Sequence, residues 1–234
     1  MKSTKKLHAP YILRHHFGLI DQTVGLKLPK GVEWLVPYSQ MDTRRTMTAY
    51  YNKYYLDNQP RIMIFGINPG RFGAGLTGVP FTDPIKLEEE CGIPNSFSKR
   101  QELSAQFIYK VIHGWGGVEL FFKSFYISSL CPLGFVLHGV NYNYYDDKKL
   151  QQAVEPFILQ NIRDQVELVQ GRPDIAYCLG EGKNFAYFEK INAVHHFFDK
   201  IVPLPHPRWI MQYRRKSMAT FENLYLERLA QSSI

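Results

Sequence analysis

Cysteine is scarce in this chain of 234 residues: Cys91, Cys131 and Cys178 stand far apart and leave an odd count. This argues against a disulfide scaffold as the source of stability, and a reducing compartment is expected. Three scattered thiols also fall short of the four that an all-cysteine iron–sulfur cluster requires. No apolar run approaches the ~18 residues that span a bilayer, so neither a transmembrane helix nor a membrane partner is expected. The basic opening Met1–Lys6 is not followed by an apolar h-region, which predicts no secretory signal. The neighbouring pairs His15-His16 and His195-His196 lack metal-ligand spacing, and no zinc site is expected. Internal repeats and low-complexity linkers are absent.

What is present suffices for a core. Hydrophobic residues make up 45% and charged residues 21%, which excludes the disordered class. The length favours one domain over 1–234 rather than two. Charge is uneven: residues 1–45 carry a net +5, residues 46–199 a net −2, and residues 200–234 a net +4. Lys200, Arg208, Arg214, Arg215 and Lys216 follow one another with no acid between them. A basic cluster on a nearly neutral body suits a polyanionic partner, although taken alone most basic runs are only solvated surface.

Four β-branched or aromatic runs predict buried strands: Arg61–Ile67, Phe125–Leu130, Asp174–Leu179 and Lys200–Leu204. Helical patterns lie at Met41–Asn58, Ser98–His113, Asp147–Gln170, Asn184–Ile191 and Ser217–Gln231. Ser98 and Gln101 stand at capping-box spacing, which sets the expected start of the second helix. Strands alternating with helices predict an α/β fold: a three-layer α/β/α sandwich with a central parallel sheet of about four strands. The segment to about Ser39 has little periodicity and is interrupted by Pro10, Pro29 and Pro37. It is expected to be an arm packed on the domain. Ligands of such sheets bind beyond the carboxyl ends of the strands. Those ends are followed by Asn68-Pro69-Gly70, Cys131-Pro132, Gly180-Glu181-Gly182 and Pro205-His206-Pro207, which should share one rim.

The stretch Gly66–Phe81 holds five glycines in sixteen residues. A long turn is the plain explanation and a phosphate cradle a second. The loop lacks both the Gly-Lys-Ser/Thr ending and the GxGxxG spacing, which argues against an NTPase or a dinucleotide enzyme. Read residue by residue, Gly66-Ile67-Asn68-Pro69-Gly70 followed by Thr77-Gly78-Val79-Pro80-Phe81 resembles the first motif of the uracil-DNA glycosylase superfamily. The likeness is strongest to its single-strand-selective monofunctional branch, and it places Asn68 and Phe81 thirteen residues apart as that family does. It is dense over Arg61–Phe81 and returns at Leu130–Leu133 and Leu204–Pro207.

The resemblance implies removal of uracil and related damaged bases from DNA by hydrolysis of the N-glycosidic bond. It implies that Asn68 holds the attacking water, that Phe81 stacks on the flipped base, and that Ile67 and Gly70 line the base site. His206-Pro207 resembles the start of the second motif, which implies that His206 stabilises the departing base anion. Relatives continue with Ser-Pro-Arg, whereas this chain reads Arg208-Trp209-Ile210, so the duplex wedge is open among Arg208, Trp209 and Tyr213. Arg214, Arg215 and Lys216 are candidates for phosphate contacts. Ser129-Leu130-Cys131-Pro132-Leu133 resembles a segment in which relatives carry Asn at the first position. A serine hydroxyl is shorter and rotates, so Ser129 should read the base edge with less discrimination.

The resulting expectation is a monofunctional glycosylase acting on DNA as a monomer inside the cell, at the nucleoid if bacterial, without metal or organic cofactor. A non-catalytic nucleic-acid-binding module and an enzyme of free nucleosides are the alternatives. Gly180 and Gly182 fit either turn glycines or a one-phosphate site. The tyrosine runs Tyr50–Tyr55 and Tyr142–Tyr145 fit either packing or base stacking.

Overall fold

Apolar runs at Ile62–Gly66, Phe125–Ser129, Ala176–Leu179 and Ile201–Leu204 pair in parallel into one four-stranded sheet. The computed structural model describes residues 7–232, so Met1–Lys6 lies outside the described residues. In chain order the elements are α1 (His8–Gln22), β1 (Val32–Leu35), α2 (Met41–Tyr54), β2 (Ile62–Gly66), α3 (Ala74–Thr77) and α4 (Pro84–Glu89). They continue with α5 (Leu103–Gly114), α6 (Val118–Ser124), β3 (Phe125–Ser129), β4 (Gly134–Leu137) and β5 (Val140–Tyr142). The chain ends with α7 (Lys148–Leu168), β6 (Ala176–Leu179), α8 (Lys183–His195), β7 (Ile201–Leu204), α9 (Pro207–Tyr213) and α10 (Met218–Ala230).

The parallel sheet has strand order β3-β2-β6-β7. Its register explains the three layers. Phe65 pairs with Ser128 and Cys178, so these side chains share one face. There Ser128 Oγ donates to Gln165 of α7, and the Phe65 ring meets Phe188 of α8 edge-on at 5.2 Å. Ile64 pairs with Ile127 and Tyr177 on the opposite face, where the Tyr177 hydroxyl donates to the Arg228 carbonyl of α10 at 2.6 Å. Both faces are covered, which is why β2, β3 and β6 are buried along their whole length.

The N-terminal segment holds more regular structure than the sequence suggested. Pro10 sits in the first turn of α1, where its missing N–H has no helical partner to lose. Beyond it, Ile12, Leu13, His16 and Leu19 form the buried stripe that packs α1 on α2 and α7. A second sheet, of antiparallel order β1-β4-β5, was not foreseen at all. Its β4–β5 hairpin turns through His138 (φ 49°) and Gly139 (φ 75°), the paired left-handed conformation that matches strand twist.

One helix start is also corrected. Ser98 and Gln101 are exposed and outside α5, which begins at Leu103. The N–H of Glu102, its N-cap residue, donates instead to Asp83 Oδ2 at 2.8 Å. A carboxylate from elsewhere in the fold thus takes the place of the local box. The first tyrosine run is core: Tyr50, Tyr51, Tyr54 and Tyr55 are all buried. Among the described residues no helix is long and apolar enough to cross a membrane, and no cluster of three potential metal ligands forms.

Candidate active site

The carboxyl ends of β2, β3, β6 and β7 open on one cavity of about 570 Å³. Three strands deliver their following residues to the wall: Ile67 and Asn68 after β2, Gly180–Asn184 after β6, and Pro205-His206 after β7. The third motif departs from expectation: β3 delivers its own last residue, Ser129, while Cys131-Pro132 are buried and do not reach the wall. The second sheet adds a fifth wall through Asn141 and Asn143.

Asn68 is held by backbone on both ends of its amide. Its Nδ2 donates to the Tyr142 carbonyl at 3.3 Å and to the Pro69 carbonyl at 3.4 Å. Its Oδ1 accepts the Tyr144 N–H at 3.2 Å. These contacts assign the two ends of the amide, and Oδ1 keeps a second lone pair for a water. Tyr144 in turn donates through its hydroxyl to Asn184 Oδ1 at 2.7 Å, which ties the Asn68 loop to the start of α8.

Phe81 occupies the left-handed region at φ 53°, a strained setting for an aromatic residue. Its ring lies over Gly66, where an added Cβ would sit 2.8 Å and 2.9 Å from ring carbons. Only glycine at 66 leaves room for it. The ring centroid is 6.3 Å from that of His206, so the two side chains bound adjoining sides of the cavity.

His206 is the N-cap of α9, a helix the sequence did not announce. Its Nδ1 accepts the backbone N–H of Arg208 at 3.2 Å, and Pro207 follows at the first helical position. An accepting Nδ1 leaves the hydrogen of a neutral imidazole on Nε2, which becomes a donor for the cavity. Burial, helped by the Arg208 charge, pushes its pKa down to about 4. His206 is therefore neutral at neutral pH.

Ser129 is buried at 6% exposure, and its carbonyl accepts from Asn161 Nδ2 at 3.4 Å. Its hydroxyl has no protein partner among the described residues and is left for a ligand. Gly70, Arg208, Trp209 and Tyr213 also line the cavity, but Arg214, Arg215 and Lys216 do not. Those three lie on the exposed turn after α9. Trp209 leans edge-on against Phe221 at 5.8 Å with the Arg214 guanidinium 5.0 Å from its ring. Tyr213 is 66% exposed and is the freest large side chain at the mouth.

Tyr145, from the second tyrosine run, lines the cavity, but several other wall residues carry no signal in the sequence. Asn141 and Asn143 arrive with the unforeseen hairpin, and Lys183 stands exposed at the start of α8. Glu102 arrives with the corrected start of α5. Gly182 is the N-cap of α8, and Gly180 takes a positive φ of 113°, so both serve the turn into that helix.

Comparison with known proteins identifies the family. Residues 53–230 match the family model described as "Uracil DNA glycosylase superfamily". The chain is 27% identical over 128 residues to a single-strand selective monofunctional uracil-DNA glycosylase of Rattus norvegicus, covering 47% of this chain and 45% of that protein. A bovine (Bos taurus) protein of the same name is 28% identical over 96 residues. These matches span about half the length of the curated relatives or less. The crystal structure of wild-type SMUG2 from Pedobacter heparinus superposes with a TM-score of 0.92 at 44% identity, covering 97% of this chain and 98% of that one. The chain belongs to the uracil-DNA glycosylase superfamily.

Proposed function

We propose that this protein is a monofunctional DNA glycosylase that flips a deaminated base, uracil first, into the cavity and hydrolyses its N-glycosidic bond. The observation that carries the reading is the pairing, in one cavity, of an amide oriented by backbone and a neutral imidazole with a donor nitrogen free. Phe81 supplies the stacking surface beside them. Asn68 Oδ1 accepts a hydrogen bond from the attacking water and aims it at the sugar carbon. An amide is no base near neutral pH, so Asn68 orients the water rather than deprotonating it. His206 Nε2–H donates to the base oxygen nearest the breaking bond and stabilises the anion that leaves. The Ser129 hydroxyl meets the base edge and, being rotatable, admits other deaminated bases.

Arg208 and the exposed Arg214, Arg215 and Lys216 suit phosphates on either side of the flipped nucleotide. On this reading the chain works as a monomer in the compartment that holds DNA, on single strands and on duplexes. The test uses single-stranded and duplex oligonucleotides carrying one uracil, hypoxanthine or xanthine, treated with alkali after incubation. Strand cleavage at uracil is expected, with no complex trapped by borohydride. Salt-dependent binding without release of any base would instead favour the binding-module alternative.

A further inference from the structure

Hydrolysis of an N-glycosidic bond sheds one proton from water, and the residues assigned so far give that proton no destination. Asn68 is not basic enough to take it. His206 cannot take it either: Nδ1 is occupied by the Arg208 N–H, and Nε2 already bears the ring hydrogen. Elsewhere on the wall, Glu181 is exposed and faces Arg228 at 3.7 Å, and Lys183 is exposed. Burial pushes the Tyr145 hydroxyl up to about 12, out of useful range.

Glu102 is placed differently. Its carboxyl lies against the glycine loop that carries Asn68: a Cβ on Gly73 would collide with Oε2, and one on Gly70 would fall 3.8 Å from Oε1. The loop is thus shaped around this carboxyl, and glycine at 73 is what lets it in. The carboxyl lines the cavity and has no hydrogen-bond or ion-pair partner among the described residues. A half-buried carboxyl that opens on the cavity with no protein partner is left to meet a water or a ligand.

We propose that Glu102 accepts the proton of the hydrolytic water, directly or through one further water, an inference that rests on the base-release reading above. As the C1′–N bond breaks, its electron pair leaves with the base. The water oxygen bonds to C1′, one water proton passes to the Glu102 carboxylate, and the other stays on the new sugar hydroxyl. The base anion then takes a proton from solvent, and Glu102 returns its own to solvent. The electrostatics suit a proton acceptor. Burial and the neighbouring Asp83 push the Glu102 carboxyl up to about 7, with Arg208 acting in the opposite sense. Asp83 and Arg208 are the charges that face it. His206 in the same cavity is neutral, and Glu181 and Lys183 stand at the exposed rim.

The test is single-turnover base release from a single-stranded uracil oligonucleotide between about pH 5 and pH 9. The wild-type rate should rise with pH through about 7 and then level. Glu102→Gln should be slower by about 100-fold or more above that inflection and should lose the inflection itself. Binding of an oligonucleotide carrying non-hydrolysable 2′-fluorodeoxyuridine should stay within about twofold of wild type, which shows that the site is folded. Glu102→Asp should recover part of the rate together with a shifted inflection. A Glu102→Gln rate close to wild type overturns the inference, as does a loss that leaves the inflection in place or abolishes binding. In those cases wild-type release continues and the base-release reading stands. Absence of release by the wild-type protein overturns both.

Discussion

The backbone N–H of Arg208 donates to His206 Nδ1 at 3.2 Å. This one contact caps α9 and selects the ring tautomer that presents Nε2–H to the cavity. Structural and chemical duties therefore sit on different nitrogens of one ring, and substitutions can separate them. His206→Asn keeps a capping side chain, whereas His206→Ala removes the cap and should cost about 1 kcal/mol of stability. Both should slow base release by about 10²- to 10³-fold, the usual loss when a donor to a developing anion is removed. Thermal unfolding and single-turnover assays read the two effects independently. A His206→Asn protein with full activity would contradict the role given to the imidazole.

Two half-buried groups make stability depend on pH in opposite senses. His206, lowered from 6.5 to about 4, leaves the unfolded chain binding more protons across that window, so its contribution is full above 6.5 and is lost as pH falls. Glu102, raised from 4.5 to about 7, leaves the folded chain binding more protons, so stability is lost as pH rises through that window. Glu102→Gln mimics the protonated carboxyl. It should match wild-type stability near pH 4.5 and exceed it above about pH 7, by on the order of 1–3 kcal/mol. Urea unfolding at the two pH values measures the difference.

Gly66 is the floor on which the Phe81 ring rests. Gly66→Ala places a methyl group 2.8 Å from that ring, and β2 is buried along its length, so the ring must give way. Base release should fall by about tenfold or more, in line with displacing a positioning group by a fraction of an ångström. Oligonucleotide binding, dominated by phosphate contacts, should change little. Measuring the rate and the affinity on the same preparation tests this. Gly66→Ala with an unchanged rate would free Phe81 from the stacking role.

Replacing Arg214, Arg215 and Lys216 together by neutral residues should weaken binding to single-stranded DNA alike for damaged and undamaged strands. It should also flatten the dependence of log K on log salt by about 0.7 for each phosphate no longer neutralised. The rate from the saturated complex should hold, because none of the three lines the cavity. A salt slope equal to wild type would remove them from the DNA track.

Legibility in the sequence followed the range of the interactions. The parallel strands were readable because strands covered on both faces are mostly apolar, and the motifs around Asn68, Phe81 and His206 marked residues that the fold gathers at one cavity. Strand and helix ends shifted by a residue or more because neighbours decide them: α5 starts where Asp83 caps it, not where Ser98 invites it. The α1 stripe was hidden by Pro10 and by His15-His16, although a proline in the first turn is compatible with a helix. The β4–β5 hairpin was hidden by the brevity of its strands, although His138-Gly139 between apolar runs is a turn signal. Glu102 left no trace, since its setting depends on Gly70 and Gly73, about thirty residues earlier, closing around the carboxyl.

That hairpin bears on how the chain can vary. Asn68 is gripped by the carbonyl of Tyr142 and the N–H of Tyr144, groups that every non-proline residue supplies. Side chains along β5 can therefore drift without loosening the grip, apart from proline at 144, which removes the donor. Length cannot drift in the same way. One residue inserted or deleted at His138-Gly139 slides the ladder by a step and turns those backbone groups away from the amide. Across descendants of this chain, the spacing from Asn68 to the hairpin should be kept more strictly than the letters within it.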